Sequence, residues 1–221
     1  MGTLYVVATP IGNLADITQR AIDTLRAADL IACEDTRHTS ILLRHLGIAA
    51  PLTSYHQHSG PVKIEQVVRA LGEGKKVAVV TDAGTPGVND PGGKLVAAAA
   101  AAGNQIVPIP GPSAIVAALS VSGLPADDFR FLGFLPHKKG RQTAIAGIAA
   151  AETTVVFYES THRILKTLQQ LADALTADRP VVVCRELTKQ FETVYRGSCQ
   201  EVLQQLQAGV TKGEFVVVVG F

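Results

Sequence analysis

Lys76-Val-Ala-Val-Val-Thr-Asp-Ala-Gly-Thr-Pro-Gly-Val-Asn-Asp-Pro-Gly-Gly93 runs from a short apolar strand into a long loop of small and turn-forming residues. The strand reading covers Lys76 to Thr81, and the Ala97 to Ala102 run after Pro91-Gly92-Gly93 sits in helical register. Strand, long loop and helix in that order form one half of a βαβ unit. In an open α/β sheet the carboxyl ends of the strands line the ligand crevice, and small residues let backbone amides come close to a bound molecule. Asp82 and Asp90 are strand-end carboxylates in a connection far longer than the usual roughly 2 to 6 residues. This favours a binding loop over an ordinary Gly/Pro connection.

Outward from that loop, Leu4 to Ala8, Leu30 to Cys33 and Gln105 to Ile109 also read as strands. Ile64, Val67, Val68 and Leu71 recur at helical spacing, as do Ile17, Ala21 and Leu25, which gives each intervening segment an apolar stripe. The alternation predicts a largely parallel sheet over the first half. Pro108-Ile109-Pro110-Gly111-Pro112 forbids both a helix and a central strand, so a domain boundary is placed there, giving domains 1–112 and 113–221. Beyond it, strands are expected at Phe129 to Phe134, Thr153 to Tyr158, Val181 to Arg185, Glu192 to Tyr195 and Phe215 to Val219. The third and fourth of these predict an antiparallel hairpin in a mixed sheet. A helix between Arg163 and Leu175 buries Ile164, Leu168, Leu171 and Leu175, and a cleft is expected between the halves.

A chain of 221 residues with 47% hydrophobic and 18% charged residues buries a sizeable core, and its length fits one large domain or two small ones. With 20 Lys+Arg against 19 Asp+Glu, neither half is a basic domain, so a nucleic-acid partner must be held by a local patch. The 3 cysteines, Cys33, Cys184 and Cys199, are read as reduced core residues. The first residues lack the charged region of a signal peptide, no apolar stretch approaches the roughly 18 residues of a membrane span, and a cytoplasmic address is expected.

Familiar cofactor fingerprints fail. Gly87-x4-Gly92 is followed by Gly93 where a P-loop needs Lys, and no Gly-x-Gly-x-x-Gly occurs, which disfavours a Rossmann dehydrogenase or a methyltransferase with the usual glycine-rich first loop. Other strand ends are polar: Thr9-Pro10-Ile11-Gly12-Asn13, Glu34-Asp35-Thr36-Arg37-His38, Phe157 to Arg163, and Arg185-Glu-Leu-Thr-Lys189. For Glu34 to His38 a helix start capped by Asp35 or Thr36 competes evenly with a functional role. Helix caps and a surface salt bridge compete in the same way at the second-half strand ends. Pro136-His-Lys-Lys-Gly-Arg141 is the one basic cluster, in a turn before a helix, and a solvated turn is its plainer reading. His45, His56 and His58 lack metal-ligand spacing and are assigned to ordinary surfaces, and no metal is expected.

Thr81-Asp-Ala-Gly-Thr-Pro-Gly-Val-Asn-Asp-Pro-Gly resembles the signature of the ribosomal RNA small subunit methyltransferase I group, a branch of the tetrapyrrole methylase superfamily. The resemblance extends to Thr-Pro-Ile-Gly-Asn13, Glu-Asp-Thr-Arg37, Pro-Gly-Pro-Ser113, Phe-Leu-Gly-Phe134, Phe-Tyr-Glu-Ser160, Arg-Glu-Leu-Thr-Lys189 and Lys-Gly-Glu-Phe215, in the family's order and over essentially the whole chain. It implies a tetrapyrrole methylase-like α/β fold of two domains, a homodimer, S-adenosylmethionine bound in the interdomain cleft, and methyl transfer to the 2'-hydroxyl of a cytidine in the decoding region of 16S rRNA in the small ribosomal subunit. Thr81 replaces the group's usual Ser. The resemblance also implies a helical extension beyond Phe221, where this chain ends after a strand.

Carried onto this sequence, the resemblance implies cofactor contacts from Pro10, Asp82, Ala83, Gly84, Val88, Ser113 and Ala114, with Tyr158, Leu187 and Glu214 closing the other side. A ribose hydroxyl is a poor nucleophile, so a base beside it helps. Glu186 is the first candidate and Lys189 the second, Arg185 is an electrostatic partner, and Glu34 and Asp35 are the reserve. Lys138, Lys139 and Arg141, with Arg37 and Arg163, form the expected RNA patch. Two other readings compete: methylation of a tetrapyrrole-like small molecule, and a non-catalytic S-adenosylmethionine-binding assembly factor.

Overall fold

The computed structural model describes residues 1–57 and 59–221, in two compact units, Met1–Ser113 and Ala114–Phe221. The first unit alternates strands and helices as β1 (Thr3–Val7), α1 (Gln19–Arg26), β2 (Leu30–Cys33), α2 (Thr36–His45), β3 (Leu52–Ser54), α3 (Pro61–Gly72), β4 (Lys76–Val80), α4 (Gly93–Ala101) and β5 (Gln105–Ile109). Its strands are all parallel, in the order β3-β2-β4-β1-β5.

Helices cover both faces of this sheet, so its central strand is continuously apolar from Val77 to Val80 rather than alternating. Val77 and Val79 of β4 face Val67, Leu71, Leu95 and Ala99 of α3 and α4. Ala78 and Val80 face the layer of Ala21, Leu25 and Leu43 from α1 and α2. Thr18 caps α1, accepting the Ala21 N–H at 3.1 Å. Pro108 lies inside β5, and an edge strand is where a residue without an N–H is tolerated.

One strand escapes the sequence pattern. β3 is 3 residues long, Leu-Thr-Ser, with two polar side chains and too few positions for alternation to register. It forms because Ile31 N–H donates to Pro51 O and Tyr55 N–H to Cys33 O, extending the ladder on β2.

The second unit contains α5 (Ala114–Ser122), β6 (Phe129–Phe134), α6 (Arg141–Ala149), β7 (Thr154–Ser160), α7 (Ile164–Ala172), β8 (Pro180–Arg185), β9 (Thr193–Ser198), α8 (Cys199–Ala208) and β10 (Glu214–Val219). Its mixed sheet runs β6-β7-β10-β8-β9. β6 and β7 are parallel and the other pairs antiparallel, including the anticipated β8–β9 hairpin. The core packs Phe157, Phe215 and Val217 of the sheet against Ile164, Leu168 and Leu171 of α7 and Val202, Leu203 and Leu206 of α8. Each such fully buried side chain contributes roughly 1.5–3 kcal/mol. Ser198 and Glu201 form a capping box that starts α8 directly from β9.

All three cysteines are free and buried. Burial pushes the Cys184 thiol up to about 11 and the Cys199 thiol up to about 12, which suits inert core residues. Among the described residues, no helix is long and apolar enough to cross a membrane.

Candidate functional site

In the first unit, hydrogen bonds tie several loops together at the carboxyl edge of the sheet. Thr9 and Gly84 exchange backbone hydrogen bonds at 2.9 and 3.0 Å, and Thr9 Oγ1 donates to Thr81 O at 3.1 Å. Asp35 N–H donates to Asp82 Oδ1 at 3.2 Å, and Thr85 Oγ1 donates to Pro112 O at 3.4 Å. The ends of β1, β2, β4 and β5 are thereby held by the one long loop after β4. Gly84 has φ +81°, a conformation open to glycine and strained for other residues, and it is the residue that bridges to Thr9. The Thr81–Gly93 loop folds on itself further: Gly92 lies so close to Gly87 that a Cβ would meet Gly87 N at 2.8 Å.

These ties place Pro10, Asp82, Ala83 and Gly84 on neighbouring strand ends, with Pro10 and Gly84 buried and Ala83 exposed. Val88 is exposed at the outer part of the same loop. Ser113 ends the first unit and Ala114 opens α5 in the second.

The edge is acidic. Desolvation, and then the charge of Asp82, raises the Glu34 carboxyl above its usual range. Asp90 is pushed up to about 6 by desolvation and by the nearby Glu34 and Asp82 charges. His56 is exposed, as expected of a surface residue, and lies near enough to oppose the shift at Glu34. His58, read as surface from sequence, lies outside the described residues.

Asp35 resolves one open choice as the N-cap of α2, accepting Arg37 N–H at 2.8 Å. Its side-chain hydrogen bonds from the Arg37 guanidinium, at 3.1 and 2.7 Å, hold its carboxyl far below the usual carboxylate range. The capping carboxylate therefore also engages the Arg37 guanidinium.

In the second unit, Glu186, Lys189 and Glu214 form one charged cluster. Lys189 Nζ donates to Glu186 Oε1 at 3.1 Å and to Glu214 Oε2 at 2.7 Å, while Glu214 N–H donates to Glu186 Oε1 at 2.8 Å. Desolvation works against ionisation of both Glu186 and Lys189. The Glu214 amide and Lys189 nevertheless hold the Glu186 carboxyl low, and Glu214 and Glu186 hold the Lys189 ammonium high. Lys189 thus keeps its proton, and Glu186 is an ionised acceptor.

Arg185 is buried, and its guanidinium donates to Lys212 O at 2.7 Å and Phe191 O at 3.0 Å, pinning the turn from both sides. Glu186 and Thr188 both have positive φ, at 53° and 66°, a strained geometry for non-glycine residues. Thr188 Oγ1 is buried without a hydrogen-bond partner. Leu187 is buried between them. Tyr158 on β7 packs edge-on against Phe131 at 5.1 Å and tilted against Phe134 at 5.5 Å.

The five basic residues expected to form one patch are not alike. Lys138 and Lys139 are exposed in the turn before α6, and Arg37 is exposed but paired with Asp35. Arg141 is buried, with its guanidinium engaged by Gln170, Pro136 O and Thr167, and Arg163 pairs with the buried Glu159 at 2.8 Å. The expectation of a solvated cluster overlooked Glu159 and Thr167, which lie on β7 and α7, distant in sequence from the basic turn. The signal available was an acidic residue at the end of an apolar strand, with two arginines in reach and no acid in the turn itself.

Residues 3–203 match the model of the tetrapyrrole (corrin/porphyrin) methylases. The chain is 50% identical over 221 residues to the ribosomal RNA small subunit methyltransferase I of Escherichia coli O157:H7, covering 99% of this chain and 77% of that protein. It is 47% identical over 220 residues to the protein of the same name from Synechocystis sp., covering 99% and 79%. Among solved structures it resembles a cobalt precorrin-4 methyltransferase, CbiF, with TM-score 0.71 and 18% identity over 99% of this chain and 94% of that one. The methyltransferase CobJ gives TM-score 0.72 and 20% identity over 100% and 94%. These structural likenesses speak to the fold alone. By its family match and its relatives, the chain belongs to the tetrapyrrole methylase family and, within it, to the ribosomal RNA small subunit methyltransferase I group.

Proposed function

We propose that this chain transfers a methyl group from S-adenosylmethionine to the 2'-hydroxyl of a cytidine in the decoding region of 16S rRNA, with the small ribosomal subunit as substrate. The observation that carries this reading is the near-50% identity to proteins named for small-subunit rRNA methylation, over a chain whose strand-end loops are cross-tied at one sheet edge.

The donor set fits the cofactor. Asp82, Glu34 and Asp90 make the edge negative, which suits a sulfonium and an amino group, and the exposed Ala83 carries only a methyl group, which leaves main chain within reach of a flat nucleoside. S-adenosylmethionine, when bound, supplies an electrophilic methyl group. Pro10, Asp82, Ala83, Gly84, Val88, Ser113 and Ala114 hold it in this proposal, with Tyr158, Leu187 and Glu214 from the second unit.

Glu186 is the acceptor for the ribose proton. Of the three catalytic candidates it alone has free acceptor chemistry, because Arg185 is committed to carbonyls and Lys189 retains its proton. Arg185 and Lys189 then orient and ionise Glu186 rather than take protons themselves. A carboxylate with a low pKa is a weak base, so orientation carries more of the rate than proton abstraction, consistent with the roughly 7–11 kcal/mol that positioning can supply. Lys138 and Lys139 contact RNA phosphates, with Arg37 beside the first-unit edge. Homodimerisation and a cytoplasmic location belong to the same proposal, with the two compact units acting as domains.

The test is transfer of labelled methyl from S-adenosylmethionine to small subunits lacking the modification, followed by alkaline hydrolysis of the rRNA. A 2'-O-methyl group blocks cleavage at its own linkage, so label in an alkali-resistant dinucleotide is the expected result. Label transferred instead to uroporphyrinogen would overturn the substrate assignment. Cofactor binding without transfer to either would leave the protein a binding factor.

A further inference from the structure

Glu159 and its partners form the most deeply buried charged network in either described unit. The Glu159 side chain is 0% exposed, and the Arg141 and Arg163 side chains paired with it are 7% and 15% exposed. Oε1 accepts Ser160 N–H at 2.8 Å and is ion-paired with Arg163, whose Nε lies 2.8 Å away and donates to Ser160 Oγ at 3.4 Å. Oε2 accepts the Thr167 hydroxyl at 2.6 Å, and Thr167 Oγ1 in turn accepts Arg141 Nη2 at 2.6 Å. Arg141 Nη1 lies 3.8 Å from the same carboxylate oxygen.

Burying such a network is expensive, and packed apolar side chains of similar volume are often as stabilising or more so. What apolar groups cannot do is aim N–H groups at chosen carbonyls. Here the remaining guanidinium donors do that: Arg163 Nη1 reaches Leu135 O at 2.9 Å and Arg141 Nη1 reaches Pro136 O at 3.2 Å. Both carbonyls begin the turn whose exposed members are Lys138 and Lys139, and Arg141 N–H closes it on Lys138 O at 3.2 Å. Gly140, at φ +86°, delivers the chain into α6. The buried carboxylate therefore fixes both ends of a turn that carries two lysines and has few other anchors.

We propose that Glu159 is a positioning residue that, through Arg141, Arg163 and Thr167, sets the Leu135–Gly140 turn so that Lys138 and Lys139 meet the phosphates of the RNA substrate in register. This rests on the reading of the turn as an RNA contact made above. Two long lysines on a mobile turn lose more freedom on binding than two on a fixed one. The network acts on RNA affinity and leaves the chemical step alone.

The test measures binding of the full chain to small subunits by filter retention over a salt series, alongside kcat at saturating subunit. Thr167→Val keeps every charge and removes the hydroxyl relay, Glu159→Gln removes the anchor, and K138A/K139A removes the proposed contacts; urea unfolding verifies that each variant is folded. K138A/K139A should flatten the slope of log K against log salt by about 1.4–1.8, the value for two phosphate contacts. T167V and E159Q should each weaken subunit binding on the order of tenfold, as expected for a misplaced but intact contact. Their kcat should stay within about twofold of the parent, since no reacting group is touched. In the K138A/K139A background T167V should add nothing.

If K138A/K139A weakens binding while folded T167V and E159Q bind like the parent, the positioning role is overturned and the RNA contact stands. If K138A/K139A binds like the parent, the RNA-contact reading fails and the proposal with it. An undiminished effect of T167V in the background lacking both lysines would also overturn it.

Discussion

Replacing Asp90 with Asn should stabilise the protein at neutral pH and do nothing in acid. Its carboxyl is raised from 3.8 to about 6 because it is drawn out of water and faces the charges of Glu34 and Asp82. The native state therefore prefers Asp90 protonated. Its contribution to stability is intact below the unfolded-state value near 3.8 and declines as pH rises through about 6. By linkage the full displacement corresponds to about 3 kcal/mol. Asp90 as a whole is exposed, so solvent screens the effect, and a third of that, about 1 kcal/mol, is the working figure. Urea unfolding of parent and Asp90→Asn at pH 7.5 should show a midpoint shift toward higher urea equivalent to about 1 kcal/mol, with no change in slope. The same comparison at pH 4 should show the two curves nearly superposed. An equal gain at both pH values would refute the electrostatic origin, and a loss at pH 7.5 would mean that the carboxylate makes a structural contact. A companion measurement is cofactor affinity: a cationic ligand is attracted more strongly to the parent edge, so the variant's deficit in S-adenosylmethionine affinity relative to the parent should widen as salt falls.

Gly84→Ala should cost about 1–2 kcal/mol in urea unfolding, because φ +81° is strained for alanine even though its Cβ would meet Ile11 Cγ2 at an ordinary 3.6 Å. It should also lower cofactor affinity in calorimetry through the Thr9 bridge. Lys189→Met removes a group that holds the Glu186 carboxyl low, so the acid limb of the kcat/KM profile should move to higher pH, and an unmoved limb would argue against Glu186 as the acceptor. Phe157→Ala, at a fully buried position, should destabilise by about 3–5 kcal/mol in chemical denaturation.

The elements that could be read from sequence are those whose side chains state their own environment. β2 and β5 match their expected limits, and Val77 to Val80 is apolar because both of its faces are covered. β3 was invisible because its place is fixed by backbone pairing to β2, not by its own side chains. At the candidate site, the conjunction of polar strand ends was legible, since each apolar run stops at a charged or small residue. Arg141 was not: its charge reads as solvated in the turn, and only folding brings Glu159 and Thr167 to it. Lys189 shows the same limit, because Glu214, which holds its proton in place, lies 25 positions away in the chain.

The two sheets are completed from opposite ends of the sequence. β1 sits between β4 and β5, so Thr3 waits for Lys76, 73 positions later, for its first neighbour and for Gln105, 102 positions later, for its second. β10, with four consecutive valines, sits between β7 and β8 and is the last strand of its sheet to be made. At ribosomal rates of about 5–20 residues per second, β1 has no partner for roughly 4–15 s after it emerges and only one until roughly 5–20 s. Until β4 emerges it presents two open edges to the nascent chain. The second sheet has the opposite schedule, with β7 and β8 left apart until Glu214–Val219 emerges to zip them together. Synthesis therefore yields a first unit that closes late around its own beginning, and a second that closes only on its final strand.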